Sequence, residues 1–343
     1  MLDAGPGESE YTRYDRKVAE LASDWLLDRA DSEEPWALFV SFVTPHYPLL
    51  APEEFFKLYP IDAMPMPKLG HQTSFEHHPW FADILKVNLG ADGSDEQHKT
   101  AYAAYLGLCS FMDAMVGQVV DTLTSIGGLG RTRVIYTSDH GENAGARGQW
   151  GKSNHYEEAS GIPMLVAVAG APVGKVSQTP VSLVDVYRFV VNWTDAEAPD
   201  AGELPGRCLF EIANEEDDPD RIAFSEYHAS KPPSASFMIR KGHYKYTHYI
   251  GFEAELFDLE SDPDEEHNLA ADPLYVDVVR DYEAAMRAII DQDEIDSQAN
   301  VAQKEMIEKV GGPEQVFANL VTTKSYTPVP DAIDDALREE GRE

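Results

Sequence analysis

The 343-residue sequence is poor in cysteine, poor in basic residues and without a long uninterrupted apolar run, and each shortage excludes something. Its two cysteines, Cys109 and Cys208, are too few and too far apart for a disulfide framework or a thiolate metal cluster, which points to a reducing, cytoplasmic setting. Only 27 lysines and arginines stand against 61 aspartates and glutamates, a net charge of −34, so binding to nucleic-acid backbones or to an anionic membrane is not expected. The acidity is spread along the chain as a solvated surface rather than gathered into an interaction tail. No stretch approaches the roughly 20 apolar residues of a bilayer span. The opening Met-Leu-Asp-Ala-Gly-Pro-Gly-Glu lacks the basic start and apolar core of a secretory signal, so a periplasmic location would require a signal upstream of Met1.

What is present is a 43% hydrophobic chain, long enough for one large α/β domain with an appendage. Tyr14, Val18, Leu21, Ala22, Trp25 and Leu26 fall at helical spacing, and the apolar run from Trp36 to Val43 suits a buried strand that ends at Pro45-His46-Tyr47-Pro48. A Pro/His-rich loop from Tyr59 to about Asn88 precedes a long helix over Tyr102–Leu123, closed by Gly127-Gly128, with Cys109 as a packed core thiol. Strands follow at Thr132–Thr137 and Pro163–Val168, then a helix at Val181–Val191. Strands alternating with helices imply a parallel sheet with helices on both faces and ligand sites beyond the strands' carboxyl ends. Past Pro205 the pattern becomes short β-strands at Ile222–Tyr227, Ser236–Lys241, Tyr244–Tyr249 and Glu255–Leu259, with a hairpin turn at Lys241-Gly242 and a helix over Pro273–Asp291. The last fifty residues are polar with scattered prolines, expected to wrap the surface or a neighbouring subunit of a homo-oligomer.

Asp139 and His140 directly follow a predicted buried strand, and Gly141 permits a tight turn, so both side chains can converge at the sheet's edge. A carboxylate beside an imidazole nitrogen suits a divalent cation; a capping aspartate and a hydrogen-bonded turn histidine account for the pair about as well. Trp150-Gly151-Lys152 then brings an ammonium to the same crevice, where it can neutralise an anionic ester oxygen. His46, at the end of a neighbouring strand, can hydrogen-bond or protonate a leaving-group oxygen. His155, His228 and His78 are candidate substrate-side groups, each weighed against a loop or structural role. His243 and His248 read as structural.

The order of Thr137-Ser138-Asp139-His140-Gly141-Glu142, Trp150-Gly151-Lys152 and Tyr156-Glu157-Glu158 resembles the second metal-binding segment of the sulfatases of the alkaline-phosphatase-like superfamily. Phe42-Val43-Thr44-Pro45-His46-Tyr47-Pro48 resembles that family's histidine loop, and Glu255 to Pro263 with Asn268-Leu269 its C-terminal signature. Glu226-Tyr227-His228-Ala229 and the Met238–Gly242 hairpin are similar to the choline-sulfatase-like branch.

The resemblance implies an alkaline-phosphatase-like parallel sheet with helices on both faces, present in part, plus a small C-terminal α+β subdomain with an antiparallel sheet. Residues 1–204 would be the C-terminal half of the catalytic α/β domain, 205–295 the small subdomain with its packing helix, and 296–343 a polar extension. It also implies a metal-dependent hydrolase of a small-molecule sulfate ester, with Asp139 and His140 as two ligands of one divalent ion and Lys152 and His46 against the sulfate. Calcium is the expected ion, with manganese or magnesium as alternatives. Where the family more often has Asn, this chain has His140, a variant shared with phosphonate monoester and phosphodiester hydrolases, so those esters are the alternative substrates; a catalytically inactive sulfate-ester-binding homologue is another. The family's nucleophile, formylglycine made from Cys-X-Pro-X-Arg, and its paired aspartates have no counterpart here: Cys109 precedes Ser110-Phe111-Met112 and Cys208 precedes Leu209-Phe210-Glu211. The sequence therefore reads as the later part of such an enzyme, inactive by itself, whose N-terminal half is supplied in cis or in trans.

Overall fold

The computed structural model describes residues 4–70, 75–81, 84–85, 93–194, 205–228 and 232–322. Ala229, part of the Pro/His-rich loop, the expected break between residues 204 and 205, and the end of the polar extension lie at or outside those limits.

The chain opens with strand β1 (Ala4–Pro6) and helix α1 (Glu10–Leu27). Ser9 caps α1 by accepting the Thr12 N–H while the Thr12 hydroxyl accepts the Ser9 N–H, a reciprocal box that satisfies two otherwise unpaired donors. The buried face is Tyr11, Thr12, Asp15, Ala19, Ala22, Ser23 and Leu26, rotated from the predicted stripe, so that Leu21 is exposed. Strand β2 (Leu49–Ala51) pairs in parallel with β1, Ala4 opposite Leu49 and Pro6 opposite Ala51, and helix α2 (Glu53–Phe56) follows.

Helix α3 (Asp95–Ser125), capped by the Ser94 and Gln97 side chains, is longer than predicted. By length and composition it could cross a membrane, contrary to the expectation that no segment would. In the fold it is the central core helix: Ala101, Ala104 and Leu108 pack on Leu49, Ala51 and Trp150, and Phe111 and Met115 meet Ala19 of α1. Cys109 is half-buried, and burial pushes its thiol up to about 11, the state of a packed rather than a reactive thiol.

Strands β3 (Val134–Thr137) and β4 (Met164–Ala167) pair antiparallel with each other, with the short helix α4 (Glu157–Ser160) between them. Ile135, Met164 and Val166 pack against α5 (Val184–Thr194) and α6 (Leu209–Asn214) through Phe189 and Leu209. The segment predicted as a buried strand, Trp36–Val43, is instead extended without a paired neighbour among the described residues. Phe42 packs towards α1 and α3 and Trp36 stands edge-on to Trp25, whereas Phe39 on the opposite side is 91% exposed. A strand needs a ladder partner as well as an apolar face, and here only the face is met.

The predicted antiparallel sheet is present in the order β5 (Ile222–Tyr227), β6 (Ser236–Lys241), β7 (Tyr244–Tyr249), β8 (Glu255–Asp258). Gly242 takes the left-handed φ of +55° that a two-residue hairpin turn requires. The period-two alternation sorts its faces. Phe237, Ile239, Tyr246 and Leu256 pack on Met286 of α7 (Val276–Ile289), while Ser236, Arg240, Lys245 and Glu255 face residues 155–158 and 265. Helices α8 (Gln292–Lys309) and α9 (Pro313–Thr322) follow, reaching into the polar extension, for which no secondary structure was predicted. Asp291 caps α8, whose Gln, Glu, Ala and Lys content favours helix despite the polarity.

Candidate active site

Two loops bring the polar residues together. The first leaves the extended segment through Thr44–Pro45 and Tyr47–Pro48, both cis, and presents His46. Its Nδ1 lies 2.8 Å from the Tyr47 carbonyl oxygen, which only accepts, so Nδ1 carries the proton and Nε2 is an acceptor. The Lys152 ammonium, 2.8 Å from Nε2, is the donor there. Burial, and then the Lys152 charge, hold the His46 pKa below the usual imidazole range.

The second loop runs from the end of β3 to Lys152. Gly141 at its start is hemmed in: its N–H bonds the Ala159 carbonyl at 2.8 Å, and a Cβ there would lie 2.1 Å from the Glu158 carbonyl oxygen. Asn143 donates from backbone and side chain to the Gly151 carbonyl, and Asn154 donates to the side-chain oxygens of Asn143 and Gln149. These amides stiffen the turn that carries Lys152. His140 donates Nδ1–H to the Gly141 carbonyl at 2.9 Å, which leaves Nε2 as a lone-pair donor 3.5 Å from Asp139 Oδ2. The His46 and His140 ring centres are 6.4 Å apart, so His46, Lys152, Asp139 and His140 form one group.

The other three candidates lie elsewhere. His155 is buried, bonds Ser236 Oγ at 3.1 Å, and is pushed down to about 4 by burial and by Lys245. His78 accepts the Trp80 N–H at Nδ1 and donates Nε2–H to the Glu253 carbonyl while stacking on Tyr249, with ring centres 4.5 Å apart. His228 lies 3.3 Å from Glu226 and edge-on to Phe237. Each is anchored at the C-terminal sheet rather than in the His46 group.

Beneath the second loop is a buried ionic layer that single-residue reading missed. Arg147 bonds Glu158 at 2.8 Å and the Asp264 carbonyl, and its guanidinium lies 3.9 Å from the Tyr156 ring centre. Lys245 meets Glu157 at 3.0 Å and Glu265, and at the exposed rim of the layer Lys68 meets Asp264 at 2.7 Å. Glu255 accepts the hydroxyls of Tyr156 and Tyr249, with its pKa raised by burial. The layer joins the loop to the small sheet. In sequence Tyr156-Glu157-Glu158 stood out only as part of a motif, and the partners Arg147, Lys245 and Glu265 look like any solvated charge.

Asp139 and His140 supply two adjacent donors of the kinds divalent ions take, and the Asp139 side chain is 82% exposed, open to further ligands. Among the described residues no group of three or more His, Cys, Asp or Glu could hold a metal. The pair fits part of a coordination shell and does not complete one.

The family model for sulfatases matches residues 2–196, and that for the C-terminal part of N-sulphoglucosamine sulphohydrolase matches residues 145–292. The chain is 32% identical over 290 residues to the choline-sulfatase of Rhizobium meliloti (strain 1021), covering 78% of this chain and 54% of that protein. It is 28% identical to arylsulfatase K of Bos taurus over 98% of this chain and 67% of that protein. Among solved structures, the phosphonate monoester hydrolase SpPMH from Silicibacter pomeroyi superposes with a TM-score of 0.68 at 25% identity, covering 79% of this chain and 59% of that one. The fold is thus that of the alkaline-phosphatase-like superfamily. Within it, the chain belongs to the sulfatase family. That family generally binds a divalent metal. The chain spans between about half and two thirds of the length of these curated relatives.

Proposed function

We propose that this chain carries the anion-contacting and half of the metal-binding apparatus of a sulfuric-ester hydrolase acting on a small sulfate ester. The observation that supports it is the Lys152–His46 contact at 2.8 Å beside Asp139 and His140. An ammonium has three N–H bonds, so donating one to His46 is compatible with a further contact to a sulfate oxygen. Neutral His46, held by the Tyr47 carbonyl, aims that ammonium. With Nε2 as an acceptor, His46 would protonate a leaving group only as the imidazolium, which its burial disfavours. A divalent ion at Asp139 and His140, with calcium first and manganese or magnesium next, would draw charge from the ester oxygens when bound. The hydroxyls nearest in sequence, Ser138 and Ser153, have no imidazole base placed on them by the described bonds; Ser138 Oγ donates to the His140 carbonyl. The attacking group and the remaining ligands are therefore assigned to a segment outside this chain.

A phosphonate monoester is the second reading, favoured by the similarity to the Silicibacter pomeroyi enzyme. Rates on an aryl sulfate and an aryl phosphonate, measured for the enzyme completed with an upstream segment, separate the two. A faster sulfate reaction, with metal content lost in Asp139→Ala, is expected; full metal content in that variant removes Asp139 from the site. Tight binding of the sulfate ester without turnover would mark an inactive homologue.

A further inference from the structure

We propose that two carboxylates, buried Asp15 and half-buried Glu142, are positioning residues that set the geometry of the Lys152–His46 pair by clamping the backbone beside each partner. The inference rests on reading that pair as the anion-contacting part of the site.

Asp15 projects from the buried face of α1 and uses both oxygens. Oδ1 accepts the Val43 N–H at 2.9 Å, and Oδ2 accepts the Thr44 N–H at 2.8 Å and the Thr44 hydroxyl at 2.5 Å. The backbone just ahead of His46 is thereby fastened to the core helix. Glu142 does the same for the other partner. Its Oε1 accepts the Ala144 N–H at 3.0 Å and the Gly151 N–H at 2.5 Å, tying the residue before Lys152 to the turn that holds His140. With Asn143 on the Gly151 carbonyl, both backbone polar groups of Gly151 are fixed.

A buried carboxylate is a costly way to fill space unless its hydrogen bonds are satisfied. Charge-assisted bonds to backbone N–H groups are short and directional, and so hold a loop more tightly than packing alone. Here they converge on Thr44 and Gly151, the approaches to His46 and Lys152. A polar site requires that kind of second support to keep its geometry.

The test uses the full chain with 15N-labelled histidine, the His46 signal being assigned by its loss in His46→Asn, together with calorimetric binding of inorganic sulfate. In the wild type His46 is expected as the Nδ1–H tautomer with Nε2 hydrogen-bonded. Glu142→Ala, and separately Asp15→Asn, which puts an amide where one oxygen now accepts a backbone N–H, are expected to move the Nε2 shift towards that of an unbonded imidazole and to weaken sulfate binding about tenfold. Glu142→Gln, which keeps an acceptor oxygen at the same reach, is expected to remain near wild type. If Glu142→Ala does not fold, Glu142→Asp, one methylene short, must show the same displacement. Unchanged His46 shifts in Asp15→Asn and in the folded Glu142 variant would overturn the proposal. Absence of sulfate binding in the wild type, with His46 responding as expected, would leave the clamps standing and remove the sulfate reading; sulfate binding with an unresponsive His46 would do the reverse.

Discussion

Two backbone carbonyls decide the tautomers of the two histidines: the Tyr47 carbonyl accepts Nδ1–H of His46 and the Gly141 carbonyl accepts Nδ1–H of His140, which leaves a lone pair on each Nε2. One receives the Lys152 ammonium and the other stands beside Asp139. Because the Lys152 charge adds to burial in lowering the His46 pKa, Lys152→Ala should raise it towards the ordinary value near 6.5, as followed by NMR titration. In the completed enzyme the same substitution should remove about 2–4 kcal/mol of transition-state stabilisation, read as kcat/KM on an aryl sulfate. Unchanged catalytic efficiency would take Lys152 out of the site. Gly141→Ala must push the Glu158 carbonyl away, and a loss of about 1–3 kcal/mol in denaturant unfolding is expected. That these four residues come together was legible in the sequence because they follow predicted strands and turn-forming Pro or Gly. Asp15 and Glu142 were not, since a carboxylate in a helix or loop looks the same whether it faces water or backbone N–H groups.

At the scale of elements, the antiparallel strands and α3 could be read from their two- and 3.6-residue periods, which depend only on neighbouring residues. Trp36–Val43 could not, because an apolar run does not specify a ladder partner, and none pairs with it among the described residues. The extra length of α3 and the helicity of residues 292–322 were hidden for a related reason: polar composition lowers the apparent periodicity without lowering helix propensity. His155 shows what is gained by knowing which elements meet. It lies between the second loop and β6, so in the folded state it takes up a proton only near pH 4, against about 6.5 when unfolded. Between those values the unfolded chain binds the extra proton, so this group withdraws stability as pH falls. The raised carboxyls Glu255 and Glu265 act in the opposite sense and the lowered Glu158 and Glu283 in the same sense, so the His155 contribution is read from a difference between variants. His155→Gln should therefore gain stability relative to wild type as pH is lowered from 7 to 4 in urea titrations. A constant difference across that range would mean that His155 does not titrate in this way.

For the molecule as a whole, the small sheet with α7 closes a core of its own, and apolar side chains are exposed both before it and on α7 and α9, at Val276 and Phe317. Phe39 is almost fully exposed, and Leu165 of β4 is more than half so. The proposal that a further segment completes the site is supported by the two-donor metal pair, Asp139 and His140. The most direct measurement is hydrolysis of an aryl sulfate in the presence of a formylglycine-generating system. It compares this chain alone with the same chain joined to an upstream segment bearing paired aspartates and Cys-X-Pro-X-Arg. The account predicts no hydrolysis by the chain alone and metal-dependent turnover when the segment is present. Robust hydrolysis by the purified chain alone would contradict it.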